Sequence, residues 1–207
     1  MTEQMSLTQK MVEVRKAYRL LHGYHKRLID IGKLISEQFS SARYYQQELS
    51  STPYTTRRNP FEKDYWAWDA TPLISVSYLF TSGSNAKNAD SVHKPGDYLL
   101  ELSFVADSEY DDWESRAREA DPSKFKSAED ARSTLSMLLI RCEQESLGLT
   151  WNKVWNLDDY PGKDRWSGQW GSPSYRGFYQ TNPFDDLVDR EGVIRTAAAF
   201  KKWALGA

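Results

Sequence analysis

One stripe of apolar side chains constrains this chain more than any other feature. Between Leu7 and Phe39 there is no proline. Leu7, Met11, Val14, Tyr18, Leu21, Leu28, Ile35 and Phe39 follow one another in alternating steps of four and three, with His25 and Gly32 filling the two gaps. That spacing puts one seam along a single helix. At 1.5 Å per residue the helix runs about 50 Å. Such a rod is too long to lie wholly on a domain this small, so part of it projects or pairs. One set of seam positions is clean (Leu7, Val14, Leu21, Leu28, Ile35), whereas the other is mixed (Met11, Tyr18, His25, Gly32, Phe39). A stable parallel coiled coil needs apolar residues at both sets. Packing on the chain's own body, or in a short antiparallel bundle, is therefore expected ahead of a homodimer. Gly23 and Gly32 each cost about 1 kcal/mol relative to alanine and mark a kink or a close helix contact.

Composition sets the frame for the rest. The chain has 207 residues, 40% of them apolar and 27% charged, which is globular rather than disordered. We read residues 1–207 as a single domain, with a helical arm over 1–40 and a sheet-containing body over 61–207. The one cysteine, Cys142, excludes an internal disulfide framework and a multi-cysteine zinc site. Charged residues interrupt the first twenty positions, so no signal-peptide core is present there. The longest apolar stretches, Leu73–Phe80 and Leu135–Ile140, are too short to span a bilayer. A cytoplasmic protein without a membrane partner is the expectation.

Residues 40–60 read as a connection rich in Ser and Thr, in which Tyr44, Tyr45 and Leu49 extend a short helix. Residues 65–142 read as sheet. Ile74, Val76, Tyr78 and Phe80 alternate with their neighbours, and so do Tyr98, Leu100, Leu102 and Phe104. A period of two with one strongly apolar face is the mark of an antiparallel strand. Residues 110–120 are expected to be helical, with Asp121–Pro122 ending the helix. Residues 133–142 fit either a third strand or the end of a helix capped at Ser127. We expect a short helix and then the strand. Residues 151–184 mix Trp, Tyr and Phe with glycine and show no period. A final helix is expected from about Gly192 to Leu205, stopped at Gly206. The fold class is α+β: an antiparallel sheet of at least three strands, a long N-terminal helix and a C-terminal helix.

Motifs that carry chemistry are mostly missing from the sequence. No nucleophile elbow, P-loop or dinucleotide fingerprint occurs. His22 and His25 have only Asp30 and Glu13 near them on their helix as further ligands, so no metal site and no cofactor is expected; one histidine should be packed and the other solvated. His93 lies in a polar loop. Cys142 reads as a small buried hydrophobe, because Arg141 points to the opposite face of a strand. The acidic run Asp107, Glu109, Asp111, Asp112 and Glu114 resembles a calcium loop. It has Asp112 where that loop needs glycine and Arg118 where it needs glutamate.

Two surfaces stand out. Residues 1–60 carry +5 (ten basic, five acidic) and residues 61–207 carry −7 (17 basic, 24 acidic). The basic helix face comprises Arg15, Lys16, Arg19, Lys26 and Arg27, a set that suits nucleic-acid phosphates. The aromatic stretch offers a partner-binding set of Arg165, Trp166, Trp170, Tyr175 and Arg176, since Trp, Tyr and Arg anchor interfaces. The expected function is a non-catalytic protein-interaction module, an adaptor, inhibitor or accessory subunit, with another protein as partner. Two alternatives are kept. One is a metal-dependent hydrolase or nucleic-acid-processing enzyme using Asp97, Glu101 and Asp107. The other is nucleic-acid binding through the basic helix.

Overall fold

The computed structural model describes residues 6–49, 74–83, 92–111 and 125–206. The seam does make one continuous helix, α1, over Leu7–Gln38. Ser6 starts it with a reciprocal cap: its hydroxyl accepts from the Gln9 amide at 3.3 Å while the Gln9 side chain accepts from the Ser6 amide at 2.8 Å. The strands and short helices follow in order: β1 (Arg43–Leu49), β2 (Ser75–Thr81), β3 (Val92–His93), β4 (Tyr98–Val105), α2 (Ser108–Asp111), β5 (Thr134–Cys142), β6 (Ser146–Leu147), α3 (Trp151–Trp155), β7 (Arg165–Trp170) and β8 (Ser172–Pro183). A 3-10 turn, Phe184–Leu187, leads into α4 (Arg190–Leu205). The fold is α+β, with six antiparallel strands in the order β1-β2-β4-β5-β8-β7 and a separate pair, β3-β6.

Both faces of the six-stranded sheet are buried. Alternation along β2, β4 and β5 sends Val76, Leu100, Leu102, Phe104, Met137 and Leu139 to one side, where α1 and α4 cover them. From α1 come Leu28, Ile31 and Ile35, and from α4 come Val193, Ala197, Phe200 and Ala204. The other side carries Leu79, Leu99, Leu138, Ile140 and Cys142, and the aromatic segment covers it with Trp151, Val154, Trp170 and Tyr175. Each fully buried side chain of this size contributes about 1.5–3 kcal/mol. α4 is capped at its start by Asp189, whose carboxylate accepts from the Gly192 amide at 2.7 Å. It stops at Gly206, which takes the left-handed conformation (φ +72°).

Four local expectations are corrected. The segment expected to connect, with Tyr44, Tyr45 and Leu49 in a helix, is instead the edge strand β1. A bulge at Tyr45 shifts the register between Tyr44↔Phe80 and Gln46↔Leu79, so Tyr45 and Gln46 both turn to the side covered by the aromatic segment and the period of two is broken. Ser127 begins a turn rather than a helix: its hydroxyl bonds Asp130 at 2.9 Å and its carbonyl accepts from the Asp130 amide at 3.0 Å. His93 is buried in β3 rather than set in an open loop. Residues 151–184, which showed no period, form α3 and the β7-β8 hairpin. The expected 110–120 helix and the second half of the acidic run lie largely outside the described residues. Ser108–Asp111 is helical within them.

Candidate functional site

The body covers only the C-terminal part of α1. Leu28, Ile31, Gly32 and Ile35 are buried, yet every residue from Ser6 to Leu20 is exposed. The uncovered stretch of fourteen residues, Leu7 to Leu20, is about 21 Å long. It still carries the seam: Leu7 is 76% exposed, Tyr18 64%, and Met11 and Val14 are open as well. At about 100° per residue, Leu7, Met11, Val14 and Tyr18 fall within one narrow stripe. The clean set then drifts by about 20° per heptad, so Leu7, Val14 and Leu21 lead into the face that meets the body at Leu28 and Ile35.

The basic residues separate on this geometry. Arg15, Arg19, His22 and Lys26 lie within about 60° of one another, along one flank of the stripe. Lys16 is on the back of the helix and pairs with Glu13 at 2.8 Å. Arg27 turns toward the body, where its guanidinium donates to the carbonyls of Leu187 (2.8 Å) and Val188 (3.0 Å) and so ties α1 to the 3-10 turn. Among the described residues Arg15, Arg19 and Lys26 form no ion pair. Asp30 and Glu37 line a polar groove with Arg27 and Arg190.

The seam also leads to a feature that sequence reasoning missed. Between α1 and the β1-β2 edge runs an apolar groove of about 260 Å³, lined by Ile29, Gly32, Lys33, Tyr44, Tyr78 and Phe80. Ile29 and Tyr44 stand 58% and 60% exposed at its mouth. Ile29 falls on the same side of α1 as Met11 and Tyr18, so its helical position was a usable signal. The strand carrying Tyr44 was not.

The aromatic set is divided by strand alternation. Trp166, Trp170 and Tyr175 belong to the core on the sheet's second face, with Trp170 and Tyr175 fully buried and Trp166 partly so. The Trp170 indole N–H donates to the Val154 carbonyl at 2.8 Å. Arg165 stacks over Trp203 at 4.4 Å and Arg176 approaches Phe178 at 5.7 Å, on the α4 side. The five do not share one surface.

A buried carboxylate is the most unusual chemical group. Glu101, only 1% exposed, faces the second core. Tyr160 O–H donates to both of its oxygens (2.8 and 2.7 Å), and Trp155 Nε1–H donates to one of them at 3.0 Å. Tyr160 as a residue is 48% exposed, but its hydroxyl points inward to this carboxylate. Burial raises the Glu101 pKa, opposed by hydrogen bonds from Ser77, Tyr160 and Trp155. Burial, with the nearby Glu101 charge, also raises that of Tyr160. Asp97 and Asp107 are elsewhere: Asp97 accepts from the Lys94 amide at 2.9 Å and Asp107 from the Glu109 amide at 2.9 Å. Among the described residues no three His, Cys, Asp or Glu side chains stand close enough to hold a metal.

His93 stacks on Trp151 (4.0 Å between rings, 12° apart) and bonds the Tyr175 hydroxyl through Nδ1 at 2.7 Å. Burial lowers its pKa despite the opposing charge of Asp97. Cys142 is buried and burial pushes its thiol up to about 11. His25 is partly covered and His22 is exposed, as the seam implied.

An α+β chain with an uncovered apolar helix end is the class that this geometry defines. A family model described as PM0109 matches residues 4–205, and the chain belongs to the PM0109 family. No curated protein and no solved structure matches the chain.

Proposed function

We propose that this protein is a non-catalytic interaction module, working in the cytoplasm, whose contact surface is the uncovered end of α1 and whose partner is another protein. One observation carries the reading. Leu7, Met11, Val14 and Tyr18 keep core-like spacing where the body covers none of them. Large apolar side chains held in one stripe on a capped helix gain up to about 1.5–3 kcal/mol each when a partner covers them, and less at the half-exposed Met11 and Val14. Contiguous exposed apolar surface of this kind marks interaction sites. The aromatic segment supports the reading only indirectly, as part of the body that holds α1 in place.

The test is site-specific photocrosslinking in cells. A photoreactive residue at Met11, Val14 or Tyr18 should give discrete protein adducts, and one at Lys16, on the back of the helix, should not. Absence of adducts at all three positions, or equal labelling at Lys16, would remove the basis of the reading. A second reading, binding of nucleic-acid phosphates, draws on Arg15, Arg19 and Lys26, which form no ion pair among the described residues. Four contacted phosphates would give a log–log salt slope of about −3.6 on duplex DNA. Titration at two salt concentrations decides it.

A further inference from the structure

The geometry points to an acidic amphipathic helix of a partner protein as the occupant of this surface, seated along the exposed seam of α1 and running on into the groove between α1 and the β1-β2 edge. This inference rests on the interaction reading above and names the chemistry of the partner. Three observations carry it.

The first is continuity. The seam residues Met11 and Tyr18 and the groove residue Ile29 lie on one side of α1. From Ile29 the groove proceeds over Gly32 alongside Tyr44 and Phe80, whose rings meet edge to face at 6.0 Å between centroids. Gly32 matters because it has no side chain to fill the floor: a Cβ there would sit in ordinary contact with Leu102 and Tyr78 (3.9 and 4.0 Å). From Met11 to Gly32 the strip is about 32 Å long at 1.5 Å per residue, which matches a helix of about 21 residues. A partner helix can reach into such a groove with side chains spaced three and four apart.

The second is charge. Arg15, Arg19 and Lys26 form a ridge along one flank of the strip with no ion pair among the described residues, whereas Lys33, at the groove's edge, also lines the polar groove with Asp30 and Glu37. A helix carrying Glu or Asp beside its apolar stripe meets that ridge with opposite sign. A second copy of α1 does not. In a parallel pair Lys10 of one copy would flank Arg15 of the other, like charges at the positions that set coiled-coil pairing.

The third is shape. The groove is concave and lies between an α-helix and a strand edge, so a flat lipid surface would leave it empty. Nucleic acid would satisfy the ridge and leave the apolar strip exposed.

The experiment uses the full chain and two labelled 21-residue helical peptides. They share the same apolar heptad positions and differ only in carrying Glu or Lys at the flanks. Fluorescence anisotropy is read at low and physiological salt. The Glu peptide is expected to bind at least tenfold tighter than the Lys peptide and to weaken as salt rises. The double variant Arg15→Glu, Lys26→Glu should reverse the preference. Ile29→Gln, at an exposed groove position outside both core clusters, should weaken the Glu peptide with little change in the melting temperature. Equal binding of the two peptides, tighter binding to phosphatidylserine vesicles or to duplex DNA, or concentration-dependent dimerisation lost in Val14→Asp would each overturn the inference. If Val14 crosslinks form in cells while the Glu peptide shows no advantage, the partner's chemistry is wrong and the interaction reading stands. If no crosslinks form at any seam position, the interaction reading itself has failed.

Discussion

Glu101 is a carboxylate among tryptophan and tyrosine rings, and no described lysine or arginine pairs with it. Its hydrogen bonds offset part of the cost of burial, yet the net effect of its surroundings is a raised pKa. A raised acid pKa means that the folded state holds its proton more tightly than the unfolded chain. Stability from this group is therefore full below the ordinary carboxyl value of 4.5 and is lost as pH rises through the folded value. The variant Glu101→Gln should lack that decline. Melting curves from pH 4 upward should be flatter for the variant, and parallel curves would disprove the assignment. His93 works in the opposite sense. Its pKa is lowered from 6.5, so stability is lost as pH falls below about 6.5 toward the folded value. His93→Phe keeps a flat ring against Trp151 and cannot take up a proton. Its melting temperature should fall less than that of the parent between pH 6.5 and 5; an equal fall would show that His93 does not titrate there.

At the level of elements, the β7-β8 hairpin shows how glycine and tryptophan share one surface. Gly168 and Gly177 are cross-strand partners, and the Trp166 ring lies over both. A Cβ at Gly177 would come within 2.8 Å of Trp166 and 2.9 Å of Trp170. Trp170 is fully buried, with its N–H bonded to Val154, and Trp166 is only partly covered. Trp170→Ala should cost about 3–5 kcal/mol, and Trp166→Ala distinctly less. Chemical denaturation measures both. A small loss for Trp170→Ala would return that residue to the list of partner-binding candidates.

This hairpin also shows where the sequence stopped being readable. Strands β2 and β4 were legible because their apolar alternation is regular over Val76–Phe80 and Tyr98–Phe104. In β7 and β8 the inward positions alternate Trp166, Gly168, Trp170 and Tyr175, Gly177, Tyr179. Glycine counts as neither apolar nor polar, so the period vanished although the geometry kept it. In β5 both faces are buried, and Leu138, Leu139 and Ile140 form a run that suits a helix as well as a strand. In β1 the bulge at Tyr45 hid the strand. At the candidate surface, the seam and the basic residues were visible in the sequence. The groove was not, because half of it comes from Tyr44, Tyr78 and Phe80, which the sheet brings to α1 from elsewhere in the chain.

Across the whole molecule, the same helix serves the core at one end and solvent at the other. Leu28 is 1% exposed, and Leu28→Ala should cost about 2–5 kcal/mol. Val14→Ser, at an uncovered seam position, should change stability by no more than about 0.5 kcal/mol. Urea unfolding of the two variants compares them directly. Equal losses would mean that the body covers the seam throughout. A compact chain of this length would have a radius of gyration of about 17 Å. X-ray scattering should return a larger value, because α1 stands off the body.

Because a single ladder of backbone hydrogen bonds joins the anchored and free parts of α1, the two ends should differ in how readily they exchange deuterium. Amides beyond Leu28 are released only when the core opens, whereas those near Leu7 are guarded by little more than the Ser6–Gln9 cap and the cooperativity of the helix. Protection should therefore climb along the rod, and a bound partner should level that gradient, so that mass spectrometry of α1 alone would report occupancy before the partner is known.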